Sequence, residues 1–304
     1  MEHTAGPHLT GRMTSRTERS PVPSTSSTRS TSSSPSSPTL VIGGTGKTGR
    51  RVAERLTARG LPVRIGSRSG EPPFDWGKPA SWEAAVEGTG AVYITYHPDL
   101  GFPGAAEAVG AFSRLAVAAG TRRLVLLSGR GEEGALRAER EVRESGAEWT
   151  VVRAGWFFQN FDEGFFLESV LAGELALPTA EAVEPFVDAD DIADVVVEVL
   201  TSEGHVGRIH ELSGPRALGF REVAAELSRA TGRDIRYLPV PLETYRETLR
   251  ENGFPVEFAD LFRLISDGRN AHPVAGVREV LGRPPRDFAR YARETAATGV
   301  WDPR

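Results

Sequence analysis

The chain has 304 residues, 39% hydrophobic and 25% charged, with a formal net charge of −5, which suits one large or two modest globular domains with a substantial core. It has no cysteine, so disulfides, thiolate nucleophiles and thiolate metal sites are excluded, and its six histidines lack any spacing that would make a metal site. The acidic balance without a basic helix argues against nucleic acid as a partner, and no apolar run approaches the length of a membrane span, so a cytoplasmic location is expected.

Residues 1–38 stand apart. From Ser20 to Pro38 nearly every residue is Ser, Thr or Pro, with Val22 the one aliphatic side chain. Such a stretch buries too little apolar surface to offset its ordering entropy, and it has no apolar segment of a secretory signal, so a disordered tail is expected.

The first structured element is a strand at 40–42, followed by glycines at 43, 46 and 49 and a helix from Lys47 to Arg59 in TLVIGGTGKTGRRVAERL. Val52, Ala53 and Leu56 form the buried face of this helix, and Gly60 stops it. A strand, a tight glycine turn and a helix start make a phosphate site, because backbone amides approach closely and the helix offers unpaired N–H groups. Gly46-Lys47-Thr48 also looks like the end of a triphosphate-binding loop, but the glycine required five positions earlier is Val41, inside the strand. The loop is too short to wrap a triphosphate, and a dinucleotide is the expected ligand.

The second strand, 61–65, selects the dinucleotide. An NAD site places a carboxylate after it to receive the ribose hydroxyls, yet no Asp or Glu occurs between Leu61 and Gly70. Ser67, Arg68 and Ser69 stand there instead, a guanidinium with flanking hydroxyls suited to the 2′-phosphate of NADP(H). Lys47 is either a second cationic contact or a surface lysine.

Further strands are expected at 91–95, 123–127 and 149–153, with helices near 81–87, 104–119 and 132–145. The strands are near-continuous apolar runs, as strands covered on both faces require. This is an α/β pattern, a Rossmann doubly wound parallel sheet. Tyr96-His97-Pro98 falls at the carboxyl end of a strand, where ligands bind in such sheets. After Arg153 the chain turns aromatic, with Trp156, Phe157, Phe158, Phe161, Phe165 and Phe166. Helical spacing places 157, 161 and 165 on one face, so part of this segment is expected in the core and part in a pocket wall, with Gln159 and Asn160 as polar anchors. A helix restarts with Asp188 or Asp190 as its cap, a last sheet strand follows at 208–212, and from Phe220 the chain reads mostly helical. Residues 39–155 and 188–214 are thus expected to form the nucleotide-binding domain, and 156–187 and 215–304 a smaller, mostly helical substrate domain.

GGTGKTGRR, PVRIGSRS, FDWGKPASW, AVYITY, RRLVLLSGRG, EWTVVRAGWFFQNF, FVDADDIADVVVEVL and GRPPRDFARYA together resemble the NmrA-like atypical short-chain dehydrogenases over about residues 39–298. Within them the pattern is nearest the ergot-alkaloid reductases, the festuclavine and agroclavine dehydrogenase family, and is similar to bacterial NADPH:quinone oxidoreductases. The resemblance implies NADP(H) held by Gly43, Thr45, Gly46, Lys47, Thr48 and Gly49. It places the 2′-phosphate on Arg68 with Ser67 or Ser69, and Asp75, at the end of a short third strand, near the adenine. Thr95 and Tyr96 then flank the cofactor, Ser128 the nicotinamide ribose, and Ala154, Gly155 and Trp156 the nicotinamide edge.

Typical members of the wider superfamily protonate a carbonyl with a Tyr whose pKa is lowered by a Lys four residues on. The tyrosines here, at 93, 96, 237, 245 and 291, never have Lys at that position, so carbonyl reduction by that route is not expected. Hydride transfer to an iminium, quinone or enone needs less acid help, and Ser128, Tyr96 and His97 are the candidates for a proton donor. Two functions compete: an NADPH-dependent reductase of a small planar acceptor, pocketed by Trp156, Phe157, Gln159 and Asn160, and a non-catalytic redox sensor acting through a protein partner. A homo-oligomer is compatible with either.

Overall fold

The computed structural model describes residues 37–303. Of the expected tail, only Ser37 and Pro38 fall within them, and both belong to the body: Pro38 O accepts the Gly90 N–H at 3.1 Å. The rest of the tail lies outside the described residues.

The chain alternates strand and helix through its first half. β1 (Thr39–Ile42) leads to α1 (Lys47–Ala58), β2 (Val63–Gly66), α2 (Trp82–Val86), β3 (Ala91–Ile94), α3 (Ala105–Ala118), β4 (Arg123–Gly129), α4 (Ala135–Arg143) and β5 (Glu148–Ala154). Then come α5 (Leu167–Ala172), β6 (Glu174–Leu177), β7 (Val183–Glu184), α6 (Ala189–Thr201), β8 (Arg208–Leu212), β9 (Leu218–Gly219) and α7 (Phe220–Thr231). The chain ends with β10 (Arg236–Pro239), α8 (Leu242–Glu251), α9 (Phe258–Ser266), α10 (Gly276–Leu281) and α11 (Phe288–Ala296).

Six strands form one parallel sheet in the order β2-β1-β3-β4-β5-β8. Alternate residues point to opposite faces, so each apolar strand feeds two cores. Leu40, Ile42, Val92, Ile94, Leu124 and Leu126 pack toward α2, α3 and α4. Val41, Tyr93, Val125 and Val152 pack toward α1 and α6. A helix layer on each face follows, the Rossmann arrangement expected from the sequence.

A third cluster is largely aromatic. Phe158, Phe161, Phe166 and Phe186 meet Phe220, Phe262, Phe288 and Trp301, beside the two-stranded pairs β6–β10 and β7–β9. Those four strands were not expected. Nor was the placement of α10, whose Val277, Val280 and Leu281 join the sheet's core rather than the aromatic one. Gly276 permits this approach, since a Cβ there would lie 2.1 Å from Glu211 O.

Two local expectations fail. Residues 157–166 do not make a helix: Phe158 N–H donates to Val187 O and Val187 N–H to Trp156 O, pinning the segment to its neighbour with one 3₁₀ turn at Phe158–Asn160. Phe161 therefore joins Phe158 and Phe166 in the core while Phe165 is 51% exposed. The expected third strand ending at Asp75 is also absent, because Phe74 and Trp76 bury a turn instead, against Trp82 and Phe112. The cap expected at Asp188 is present, its carboxylate accepting the Asp190 N–H.

Candidate active site

The strand order reverses between β1 and β3: from β1 the chain moves outward through α1 to β2, then crosses back through α2 to β3 on the other side of β1. In open α/β sheets the crevice at such a point receives ligands. Gly43 ends β1 with φ +67°, its N–H on Gly66 O at 2.8 Å, while Gly46 N–H returns to Gly43 O at 2.8 Å. A Cβ on Gly49 would lie 2.1 Å from Gly43 O, so the first turn of α1 rests directly on the loop. The N–H groups of Lys47, Thr48 and Gly49 have no intrahelical acceptor, and with the helix dipole they suit a pyrophosphate. Thr45 and Gly46 are exposed on this loop. A dinucleotide therefore fits the backbone here.

Two threonines in this set are otherwise engaged. Thr48 is buried, its Oγ1 accepting from Tyr93 OH at 3.1 Å, and Thr95 Oγ1 donates to Ile42 O at 2.9 Å. The contact assigned to Thr48 thus reduces to its main-chain N–H.

Ser67, Arg68 and Ser69 follow β2 beside this loop, with Ser67 Oγ 3.4 Å from Ser69 Oγ. Arg68 is exposed and has no hydrogen bond or ion pair among the described residues. The arginines of α1 differ: Arg50 and Arg51 pair with Glu163, and Arg55 with Asp190 and Asp194. Asp75 sits in the adjoining turn, its carboxylate accepting the Gly77 N–H at 2.9 Å.

Past the loop, a cleft of about 280 Å³ opens at the carboxyl ends of β3, β4 and β5. Lys47, Thr95, Tyr96, Ser128, Ala154, Gly155, Trp156, Phe157 and Asn160, singled out from sequence, all line it, together with Phe165 and with Phe258, Leu261 and Leu264 of α9. Lys47 Nζ donates to Asn160 Oδ1 at 2.9 Å, and burial lowers its pKa. Trp156 packs against Phe166 and Phe262, which fixes its ring in the wall.

Three expected roles need correction. Gln159 is buried and away from the cleft, its amide bridging Asp188 Oδ1 and the Ala189 N–H to anchor α6. His97 is exposed and does not line the cleft. Ser128 does line it, but its hydroxyl donates to Glu139 Oε1 at 2.7 Å, and Arg153 holds that carboxylate from the other side. The Ser128 proton is committed to Glu139, so toward a ligand Ser128 presents lone pairs.

Sequence reasoning missed Asp99, Arg130 and Glu132, which bring charge into the cleft. Arg130 is fixed by the carbonyls of Asn270 and His272. Burial, and then the neighbouring Asp99, push the Glu132 carboxyl up to about 9. The one available signal was the glycine-flanked SGRGEEG, where Gly129 leaves room for the Glu132 side chain. Behind Gly155, Glu184 accepts the Trp156 N–H at 3.4 Å, and burial pushes it up to about 7. No helix among the described residues is long and apolar enough to cross a membrane.

Residues 136–281 match the NmrA-like family. The chain is similar to the NAD(P)H azoreductase of Xenophilus azovorans, with 32% identity over 85% of this chain and 98% of that protein. It is also similar to the agroclavine dehydrogenase of Claviceps fusiformis, with 29% identity over 86% and 98% of the two chains. Among solved structures, the NADPH complex of the Escherichia coli NADPH-dependent quinone oxidoreductase QOR2 shares the fold, with a TM-score of 0.68 and 21% identity over 84% of this chain and 99% of that one.

Proposed function

The chain belongs to the NmrA-like family, and we propose that it is an NADPH-dependent oxidoreductase that reduces a small planar acceptor, an iminium, quinone or enone. The observation that carries this reading is continuity. The glycine loop that fits a pyrophosphate opens through Lys47 and Thr95 into a cleft walled by Trp156, Phe157, Phe165 and Phe258. When bound, NADPH would supply a hydride. The azoreductase and dehydrogenase names of the similar proteins support the same class of chemistry.

The residues divide the work. Gly43, Gly46 and Gly49 let the backbone close on the phosphates, Thr45 and Lys47 flank them, and Arg68 with Ser67 or Ser69 takes the 2′-phosphate. Ala154 and Gly155 form the floor where the nicotinamide edge belongs, and Ser128 and Thr95 border it. Trp156 and the α9 side chains exclude water and hold a flat acceptor, so that rate comes chiefly from positioning. Residues 156–187 and most of 215–304 then act as the substrate side, with a small molecule as partner.

This reading assigns no role to a Tyr–Lys pair, since no Tyr of the chain has Lys four residues on. Tyr93 is buried on Thr48, and the cleft lysine, Lys47, bonds Asn160. That absence is also what favours a second reading, a nucleotide sensor acting through a protein partner, but such a role leaves the aromatic cleft without a purpose. NADPH oxidation followed across quinones, enones and iminium compounds separates the two.

A further inference from the structure

Neutral acceptors need a proton as well as a hydride, and Ser128 and His97 do not supply it. Glu132 lies in the turn before α4 and lines the cleft alongside Tyr96, Ser128 and Trp156. The chain is built around that carboxyl. A Cβ on Gly129 would lie 2.0 Å from Glu132 Oε2, and one on Gly101 would lie 2.2 Å from Glu132 Oε1. Glycines at the end of β4 and on the loop after β3 thus leave the space the two oxygens occupy.

The charged groups around it are mainly acidic. Asp99, from the loop after β3, is within hydrogen-bonding reach, and Glu139 of α4 adds a further negative charge. Arg130, at the end of β4, turns its guanidinium to the carbonyls of Asn270 and His272 and toward Glu211. Among the described residues Glu132 has no ion-pair partner. Burial disfavours the charged form of Glu132 and the neighbouring Asp99 adds to this, which keeps the proton on Glu132.

We propose that Glu132 is the proton donor to the acceptor and is reprotonated from solvent. This rests on reading the cleft as a reductase site. For a quinone, the hydride from the nicotinamide cofactor and the Glu132 O–H proton together add two electrons and two hydrogens. The Glu132 O–H bond breaks, the new O–H bond forms on the acceptor, and the carboxylate left behind takes a proton from solvent. An iminium ion needs the hydride alone, so Glu132 acts selectively on neutral acceptors.

The test compares wild type, Glu132→Gln and Glu132→Asp in full-length protein, with melting temperature and NADPH affinity as controls of folding. Glu132→Gln should lower turnover of quinones and enones by about 10²–10⁴-fold, with a loss at least about tenfold smaller on an iminium, and Glu132→Asp should restore part of the rate. Independently of turnover, infrared difference spectra of the ligand-free protein at neutral pH should show a protonated carboxyl band that is lost in Glu132→Gln. Equal rates on neutral acceptors in both proteins, a large loss with Tyr96→Phe instead, or absence of that band in wild type would overturn the proposal. Wild-type protein inert toward every acceptor, with the band present, would count against the reductase reading and leave the protonated Glu132 standing on the infrared result.

Discussion

Gly43 and Thr95 close the joint between β1 and β3: a Cβ on Gly43 would lie 2.3 Å from Thr95 Oγ1, which is itself bonded to Ile42 O at 2.9 Å. The space a side chain would need at the end of β1 is filled by the hydroxyl that ties the two strands together. The nucleotide loop and the strand junction are therefore one structure.

Gly43→Ala should destabilise the fold by about 1–3 kcal/mol, since it adds a Cβ at positive φ and displaces Thr95. It should also weaken NADPH binding. Denaturant unfolding and cofactor titration check this, and an alanine variant with unchanged midpoint and affinity would contradict the geometry.

Arg68→Ala should weaken NADPH by about 1.5–3 kcal/mol while leaving NADH nearly unchanged, because only NADPH carries the 2′-phosphate that a guanidinium holds. Calorimetric titration with both cofactors decides it. Equal losses for the two would remove Arg68 from the 2′-phosphate.

Ser128→Ala and His97→Ala should each reduce turnover by well under the roughly 10²-fold of a lost general acid. Ser128 has its proton engaged by Glu139, and His97 lies outside the cleft. Trp156→Ala should act mainly on KM and acceptor choice. Loss of turnover with either polar substitution, at unchanged NADPH affinity, would show a donor role.

One part of the pH dependence of stability follows from Glu184. Burial raises its folded pKa from 4.5 to about 7, so its contribution to stability is fully present below 4.5 and is lost as pH rises through about 7. Glu184→Gln should remove that slope, gaining on wild type as the pH passes from the lower value to the upper. Melting curves across this range provide the check, and parallel profiles for the two proteins would contradict the assignment.

The nucleotide half was legible because its determinants are local. Only glycine fits Gly43 and Gly49, where φ and backbone contact leave no choice, and continuous apolar runs such as Leu40 to Ile42 and Leu124 to Leu126 mark buried parallel strands directly. Arg68 stands out in the sequence through charge alone, and its 2′-phosphate role is a proposal. The cleft was legible in membership more than in role: Trp156, Asn160 and Ser128 line it, but the engagement of Ser128 by Glu139 depends on α4 meeting β4 and β5. Glu132 was hidden because its setting is assembled from Asp99 and Gly101 on the loop after β3 and Gly129 at the end of β4. The β6–β10 pair was missed for a related reason, since four-residue strands far apart in sequence carry no periodicity long enough to read. Gln159 misled because an amide in an aromatic run looks like a pocket anchor, and its true partners, Asp188 and Ala189, come from the start of α6.

The most direct measurement of the central claim is cofactor consumption by the purified full-length chain, with reduced product quantified against NADPH oxidised over a panel of quinones, enones and iminium compounds. The reductase reading predicts one NADPH consumed per two-electron product with at least one planar acceptor, and a strong preference for NADPH over NADH. Tight NADPH binding without oxidation by any acceptor would contradict it and leave the chain as a nucleotide sensor.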